Sequence, residues 1–377
     1  MPEITFTNAR IVLDDEILEG HLVLRDGKIA EIGSGPASGI DIGGDLLIPG
    51  LVELHTDHLE GHYIPRPKVY WNKFAAIQAH DAQIAAAGIT TVFDAVRVGT
   101  DEDETLRSED MVELGRAICE SVKTGRTRAD HFIHLRCEVS AADVVDGFER
   151  FSGNERLKLV SLMDHAPGQR QFVNLDAYRL YYQKKKGMTE EEFQAFSAKR
   201  LADSERYADH SRKAISQAAA EWGLTIASHD DATADHVAEA VAYGAAIAEF
   251  PTTLEAAEAS RKAGLAVLMG APNVVRGGSH SGNVSAIDLV KSDRLNILSS
   301  DYVPFSLLQA AFQLAAEAVL TLPEAIRTIT SAPAKAVALS DRGEIAVGKR
   351  ADLVRIEVAD GLPPLVRSVW REGERVA

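Results

Sequence analysis

One stretch of the sequence decides the fold: Leu47-Ile48-Pro49-Gly50-Leu51-Val52-Glu53-Leu54-His55-Thr56-Asp57-His58. It is an apolar run that turns at Pro-Gly, becomes apolar again and ends in His55 and Asp57. Residues two apart on a β-strand share one face, so these two side chains point the same way. An imidazole beside a carboxylate at a strand end suits a divalent metal, and a polar loop after a buried strand is the other interpretation.

The composition narrows the class of protein. The chain has 377 residues, of which 46% are hydrophobic, and this suits one large α/β barrel with a minor domain. A formal net charge of -16 argues against partners such as nucleic acid or an anionic membrane, although it leaves room for a local cationic pocket. No apolar run reaches the roughly 18 residues of a membrane span.

The cysteines and the N-terminal residues indicate a cellular compartment. Cys119 and Cys137 are the only cysteines, which are too few for a disulfide framework in a chain of this length. The first residues carry neither a basic start nor an apolar signal core. We therefore expect a cytoplasmic protein.

From Leu47 onward, apolar strand-like runs alternate with longer helical stretches, which is typical of parallel βα units. The runs are residues 47–57, Thr90–Arg97, His131–Glu138, Leu159–His165, Leu224–His229, Ala246–Phe250, Ala266–Met269 and Leu295–Asp301. Eight such runs predict a (β/α)8 barrel of the TIM type.

The two ends of the chain have a sequence pattern that differs from that of the barrel segment. Residues 1–46 form short alternating segments with a hairpin turn at Asp26-Gly27, and short strands return after Thr330, ending at Val366–Trp370. We expect both ends to build one small β-sandwich from residues 1–50 and 336–377. The barrel would then comprise residues 51–335.

Residues 171–222 are unusually long for one βα connection. Thr189 and Glu192 offer a capping box, which predicts a helix starting near residue 190. The segment suits a solvated helical hairpin on the barrel rim, or else a lid or a subunit contact. The last interpretation would make the protein a homo-oligomer.

Candidate metal ligands fall at the carboxyl ends of five predicted strands, where barrels of this type place their active sites. Each residue alone has an ordinary interpretation, as a hydrogen-bonded loop histidine or as an aspartate that caps a helix. Six at one rim predict two divalent metal ions of the Zn, Mn or Fe kind sharing a site. The six are His55, Asp57, Glu138, His165, His229 and Asp301.

The same motifs carry a resemblance to a known family. The stretch Pro49–Asp57, the later ligand residues and the closing Gly343…Ala351-Asp352-Leu353-Val354 resemble the amidohydrolase superfamily. Asp57 stands where that superfamily usually has a histidine, and Glu138 stands where many members carry a carboxylated lysine. The resemblance implies a metal-dependent hydrolase in which Asp301 is the catalytic base that accepts the proton of the attacking water.

Longer motifs resemble the branch of this superfamily that acts in phosphonate degradation. They are the run His55–Pro67, Asp164-His165-x-Pro167-Gly168-Gln169-Arg170, the run Gly270–Asn283 and Ser299-Ser300-Asp301-Tyr302. Membership would imply hydrolysis of a phosphoanhydride in a ribose 1-phosphonate 5-triphosphate, giving the 5-phosphate and pyrophosphate.

A substrate of that kind needs several cationic and hydrogen-bonding groups, and arginine forks match phosphate oxygens. Any one arginine is equally explained as part of a surface ion pair. The predicted substrate-binding residues are His58, His62, Arg97, Arg136, Gln169, Arg170, Asn273, Arg276, Ser279 and His280.

Two alternative functions stay open. One is hydrolysis of a cyclic amide, an N-acyl amino acid or a dipeptide, which needs fewer arginines in the pocket. The other is a metal-free scaffold protein that has lost catalysis, against which the six candidate ligands argue.

Overall fold

Two sheets organise the residues described by a computed structural model of the chain, namely 3–99, 107–167, 170, 187–279 and 282–377. The first is parallel throughout, and its eight strands follow one another in chain order. They are β6 (Leu51–Thr56), β7 (Ile89–Val98), β8 (Asp130–Glu138), β9 (Leu157–Met163), β10 (Thr225–His229), β11 (Ile247–Glu249), β12 (Ala266–Gly270) and β13 (Ile297–Ser299). A parallel bridge between Thr56 and Asp301 joins the first strand to the last, which confirms the predicted barrel.

The second sheet draws its strands from both ends of the chain. It contains β1 (Ile4–Val12), β2 (Ile17–Arg25), β3 (Lys28–Ser34), β4 (Ile40–Asp41), β5 (Leu46–Pro49), β14 (Leu353–Glu357), β15 (Leu365–Arg371) and β16 (Glu374–Arg375). The rings of Phe6 on β1 and Trp370 on β15 lie 4.7 Å apart, although two strands separate β1 from β15 in the sheet. The sheet therefore curls over its own core, as a small sandwich does.

The Pro49-Gly50 turn connects the second sheet to the barrel. β5 belongs to the second sheet and β6 to the barrel, so the run of residues 47–57 is divided at this turn. A Cβ atom on Gly50 would lie 2.2 Å from the hydroxyl oxygen of Thr90, so the close approach of the two segments requires glycine. The division into residues 1–50 with 336–377 and residues 51–335 stays a prediction.

Helices surround the barrel, and many begin at residues suited to capping. They are α1 (His58–Tyr63), α2 (Lys73–Ala86), α3 (Ser108–Lys123), α4 (Val144–Glu149), α5 (Glu190–Glu221), α6 (Ala234–Ala242), α7 (Leu254–Lys262), α8 (Ala271–Val275), α9 (Ala286–Lys291), α10 (Ser306–Ala316), α11 (Leu322–Arg327) and α12 (Ser331–Ala336). Within the described ranges, no helix combines the length and the apolar character needed to cross a membrane.

Helix α5 begins where the capping box predicts, because Thr189 and Glu192 bond reciprocally at its first turn. It runs for 32 residues as a single helix, and the preceding residues 171–186 lie outside the described ranges. One face of α5 is buried rather than solvated: Arg200 and Arg212 are each 8% exposed, and Arg212 Nη2 lies 3.0 Å from Asp164 Oδ2. A role as a lid or a subunit contact stays a prediction.

Alternation along β8 separates two environments, as the sequence predicts. Ile133, Leu135 and Cys137 face outward and pack in a cluster with residues of α3 and α4. His134, Arg136 and Glu138 lie on the opposite face, toward the barrel axis. The charged side chains of this strand end therefore open into the barrel mouth.

Candidate metal centre

Three buried side chains on different strands form the base of the candidate site. His55 Nδ1 on β6 lies 2.7 Å from Glu249 Oε1 on β11, and His229 Nδ1 on β10 lies 2.7 Å from Glu249 Oε2. The Glu249 carboxylate thus orients both imidazoles through their Nδ1–H groups. This arrangement leaves the two Nε2 lone pairs available for a metal ion, as carboxylates do behind metal-binding histidines.

Glu138 and His165 form the second part of the site. His165 Nδ1 lies 2.6 Å from Glu138 Oε2, and the His165 backbone N–H donates to Glu138 Oε1 at 3.1 Å. Ser140 and Arg97 also donate to this carboxylate, at 2.8 Å and 3.3 Å. Burial favours the neutral acid, but His165 and Arg97 outweigh it and hold the pKa of Glu138 well below its ordinary value. Glu138 therefore stays ionised, as a metal ligand must.

Asp230 joins His165 and His229 in a tight group of donor atoms. His229 Nε2 lies 3.4 Å from Asp230 Oδ2, and one donor atom from each of the three residues lies within 4.8 Å of the others. Asp230 follows β10 in the left-handed region, with φ of 56°. This unusual backbone turns its carboxylate back toward the histidines, and burial raises its pKa to about 6.

Asp57 and Asp301 supply the carboxylates where the barrel closes. The Asp301 backbone N–H donates to the His55 carbonyl at 3.1 Å, and its φ is 55°. Burial, reinforced by the negative charge of Asp57, raises the pKa of Asp301 to about 7. Arg136 Nη1 lies 4.0 Å from Asp57 Oδ2 and offsets part of this charge. Two carboxylates with so little compensation indicate a place for a cation.

Glu53 fixes the segment that carries Asp301. It lies fully buried on β6 and accepts hydrogen bonds from the His55 backbone N–H at 2.6 Å and the Ser300 backbone N–H at 2.5 Å. The Ser299 hydroxyl donates to it at 2.7 Å. Burial raises the pKa of Glu53 to about 7 despite these donors. Glu53 thus ties the first strand to the last, directly beside the candidate ligands.

Of the predicted phosphate-binding arginines, the structure brings two to the candidate ligands. Arg97 contacts Glu138, and Arg136 lies beside Asp57. Arg170 is buried and forms ion pairs with Asp231 and with Glu239 at the edge of the mouth.

The other predicted substrate-binding residues lie in several places. The Asn273 amide donates to the Val284 carbonyl at 3.3 Å and accepts from the Ala286 backbone N–H at 3.0 Å, so it shapes its own loop. Arg276 is exposed at the end of α8, and Ser279 is half-buried. His58 and His62 lie on α1, where their rings contact each other and His80. Gln169 and His280 lie outside the described residues.

The donor set fits a divalent transition metal. Neutral imidazole nitrogens and carboxylate oxygens together suit Zn, Mn or Fe better than Mg or Ca, which prefer oxygen ligands alone. The candidate ligands would be His55, Asp57, Glu138, His165, His229 and Asp301, with Asp230 as a further donor beside two of them.

Comparisons with known proteins agree with this geometry. The model of a family described as "Amidohydrolase family" matches residues 72–377, which is most of the chain. The chain belongs to the amidohydrolase family. It is also 48% identical, over 374 residues, to the α-D-ribose 1-methylphosphonate 5-triphosphate diphosphatase of Escherichia coli strain K12, covering 98% of this chain and 99% of that protein.

Solved structures of amidohydrolases share the fold at low identity. The N-acetyl-D-glucosamine-6-phosphate deacetylase of Mycobacterium smegmatis has a TM-score of 0.64 at 18% identity, covering 99% of this chain and 100% of that one. The dihydropyrimidinase of Brevibacillus agri NCHU1002 has a TM-score of 0.65 at 13% identity, covering 99% and 95%. These likenesses concern the barrel and the second sheet alone.

Three functional candidates escape the sequence analysis: Glu53, Asp230 and Glu249. Glu249 lies next to the end of the predicted run Ala246–Phe250 and ends β11 in the structure, so it could have been chosen by the same rule as Glu138. Asp230 directly follows His229, but its inward direction depends on a left-handed backbone. Glu53 looks like a strand residue, and its role depends on serines 246 and 247 residues away. Members of this family depend on metals, and these residues lie among the candidate ligands.

Proposed function

We propose that the chain is a metal-dependent hydrolase that cleaves α-D-ribose 1-methylphosphonate 5-triphosphate into the ribose 1-methylphosphonate 5-phosphate and pyrophosphate. The observation that carries this proposal is the full-length match, at 48% identity, to a protein with that diphosphatase activity. The arginines beside the candidate ligands support it, because a triphosphate needs cationic partners.

We propose that two divalent ions of the Zn, Mn or Fe kind are held by His55, Asp57, Glu138, His165, His229 and Asp301. Ions bound there supply a water molecule of lowered pKa and a Lewis acid for a phosphoryl oxygen. Glu249 supports this assignment, because it holds His55 and His229 with their Nε2 atoms free for coordination.

In this proposal Asp301 takes the proton of the attacking water. Without a bound cation, burial and the neighbouring Asp57 charge raise the pKa of Asp301 to about 7, and a carboxylate at the barrel mouth is a suitable acceptor for the proton of the water. Glu53 acts as a positioning residue, since it holds the Ser300 backbone next to Asp301.

Arg97 and Arg136 are proposed to neutralise the phosphate oxygens of the substrate. Both side chains are largely buried, with Arg97 12% and Arg136 18% exposed, so their charges are weakly screened by solvent. Both lie beside candidate metal ligands, so a triphosphate bound at the metal centre would lie next to their charges. Arg170, Arg276, Ser279, Gln169 and His280 stay predictions as further contacts.

We also propose that the enzyme acts in the cytoplasm. Cys119 and Cys137 are both free thiols, and a reducing compartment keeps them so.

The test is the release of pyrophosphate from the ribose triphosphate by metal-loaded enzyme, with ATP and dihydroorotate as parallel substrates. Products are identified by phosphorus NMR, which separates pyrophosphate from orthophosphate. Fast pyrophosphate release from the ribose triphosphate, with little from ATP, is the expected result. Release of orthophosphate, or hydrolysis of dihydroorotate instead, would contradict the proposal.

A further inference from the structure

Three histidines cluster outside the candidate metal centre. His58 and His62 lie four residues apart on α1 and so share one face, and His80 lies on α2. His58 Nδ1 and His80 Nδ1 are 3.3 Å apart, and the three ring centroids lie 4.9 to 6.1 Å from one another. One nitrogen from each ring lies within 4.8 Å of the other two.

The wall of the barrel separates this cluster from the barrel mouth. His80 contacts Asp94 on β7, and Asp94 shares a strand face with Val96 and Val98, which pack against the helices. Phe93 and Arg97 lie on the opposite, inner face. The histidine cluster therefore sits in the helical layer.

A buried chain of hydrogen bonds sets the tautomer of His80. His80 Nε2 lies 2.8 Å from Asp94 Oδ1, and Asp94 Oδ2 lies 2.7 Å from His131 Nδ1. His131 Nε2 in turn lies 3.2 Å from Asp81 Oδ1. Because a carboxylate only accepts, His80 donates through Nε2–H, and in the neutral imidazole the Nδ1 lone pair faces His58. A carboxylate behind a histidine in this way is the usual support of a metal ligand.

We propose that His58, His62 and His80 bind one divalent transition metal ion of the zinc class, separate from the ions of the barrel mouth. Two nitrogens bound tetrahedrally to zinc at the usual bond length lie roughly 3.3 Å apart, which matches the His58–His80 distance. Three imidazoles leave a fourth position for water. The side chain of Gln83, also on α2, lies beside His62.

Two other occupants fit the geometry less well. A phosphate group would need N–H donors, but His80 Nδ1 carries no hydrogen while Nε2 donates to Asp94. A simple hydrogen bond between His58 and His80 would account for their contact, but it would not explain why His62 lies beside both rings. A cation uses all three lone pairs at once.

The ion would tie α1 to α2. Helix α1 begins at His58, directly after Asp57, so it leaves the barrel at the point where a candidate ligand lies. Glu60, also on α1, lies near the charged groups of the mouth, namely Asp57, Arg136 and Arg97. A metal on the helical side would hold this short helix in place.

The experiment counts bound metal and does not depend on activity. Metal-free protein is titrated with Zn²⁺ and, in parallel, with Co²⁺, whose visible absorption reports tetrahedral nitrogen ligands. The variants are His62→Ala, which removes a half-buried ligand, and His58→Ala. His210→Ala, which removes an exposed histidine of α5, is the matched control. Circular dichroism verifies that each variant is folded.

The expected result is that His62→Ala and His58→Ala each bind one ion fewer than the wild-type protein, while His210→Ala binds the full number. The tetrahedral cobalt signal should fall by the same share. A second variant, His55→Ala with His229→Ala, should lose ions of the barrel mouth and keep this one. Equal stoichiometry in His62→Ala and the wild-type protein would overturn the proposal, whatever the enzyme's substrate proves to be.

Discussion

The strands of the barrel carry buried charged groups on their outer and inner faces, and the two faces differ in how those charges are balanced. On the outer face Asp94 lies between His80 and His131, and these partners lower its pKa below the ordinary value even though burial acts the other way. On the inner face, at the barrel mouth, burial raises the pKa of Asp230, which follows β10, to about 6 and that of Asp301, which follows β13, to about 7.

The difference in charge balance indicates a separate role for each face of the barrel. Groups that neutralise one another stabilise the fold, whereas carboxylates left without enough positive charge mark a place for a cation. The inner face should therefore govern turnover, and the outer face should govern stability.

The largest effect is expected for Asp301→Asn. The amide cannot accept a proton, so kcat for pyrophosphate release should fall by about a thousandfold or more, equivalent to roughly 4 kcal/mol of barrier. The free energy of unfolding of the metal-free protein should stay the same or increase, because the substitution removes a buried carboxylate that has little compensating positive charge. Retention of more than about a tenth of the rate, about 1.4 kcal/mol, would remove Asp301 as the base. Asp235→Asn, at an exposed position on α6, is the control.

The second prediction concerns His131→Leu on the outer face. The substitution leaves the buried Asp81 and Asp94 carboxylates without the imidazolium between them. Breaking such a buried pair costs about 3–5 kcal/mol, which urea unfolding would measure. At 25 °C the folded variant should keep kcat within about threefold. A loss of less than about 1 kcal/mol would show that the outer network does not stabilise the fold.

The third prediction compares two arginines. Arg136→Ala should lower kcat/KM for the triphosphate by about 100-fold, as expected when a buried charged hydrogen bond is lost. Arg276→Ala, at an exposed position, should cost about tenfold or less, and it should affect the triphosphate more than a small phosphodiester. Steady-state kinetics on both substrates would measure kcat/KM for each variant. Equal effects of Arg276→Ala on the two substrates would exclude it from phosphate binding.

The smallest effect is a pH dependence of stability. Although burial opposes it, Asp94 and Asp81 raise the pKa of His131 from 6.5 to about 10. Between these values the folded protein holds a proton that the unfolded chain releases, so the free energy of unfolding falls as pH rises. The slope from this one group is at most about 1.4 kcal/mol per pH unit. Urea unfolding of metal-free protein at several pH values from 7.5 to 9.5 should show a steeper fall than in His131→Leu; identical slopes would contradict this origin.

The functional residues on the inner face of the barrel can be predicted from the sequence better than those on the outer face. Strand alternation and the position of strand ends suffice to choose His55, Glu138, His165, His229 and Asp301, and the structure brings their side chains to one end of the barrel. Each lies at the end of an apolar run, where a polar residue is conspicuous.

The outer network is different because its members look like ordinary core positions. His80 lies within a helical pattern and His131 begins a strand, and neither stands near a motif. His80 and His131 come close to each other only because α2 packs against β7 and β8, and this packing is a property of the closed barrel. Glu249 is different, because the strand-end rule could have chosen it, but its role as a support of His55 and His229, 194 and 20 residues away, depends on the closed barrel.

The most direct test of the division between the two faces is an anomalous-scattering map from crystals grown with Zn²⁺. Strong peaks are expected at the barrel mouth among His55, Asp57, Glu138, His165, His229 and Asp301, and one further peak is expected between His58, His62 and His80. A map without density at the barrel mouth would contradict the claim that the poorly compensated inner carboxylates mark the metal centre.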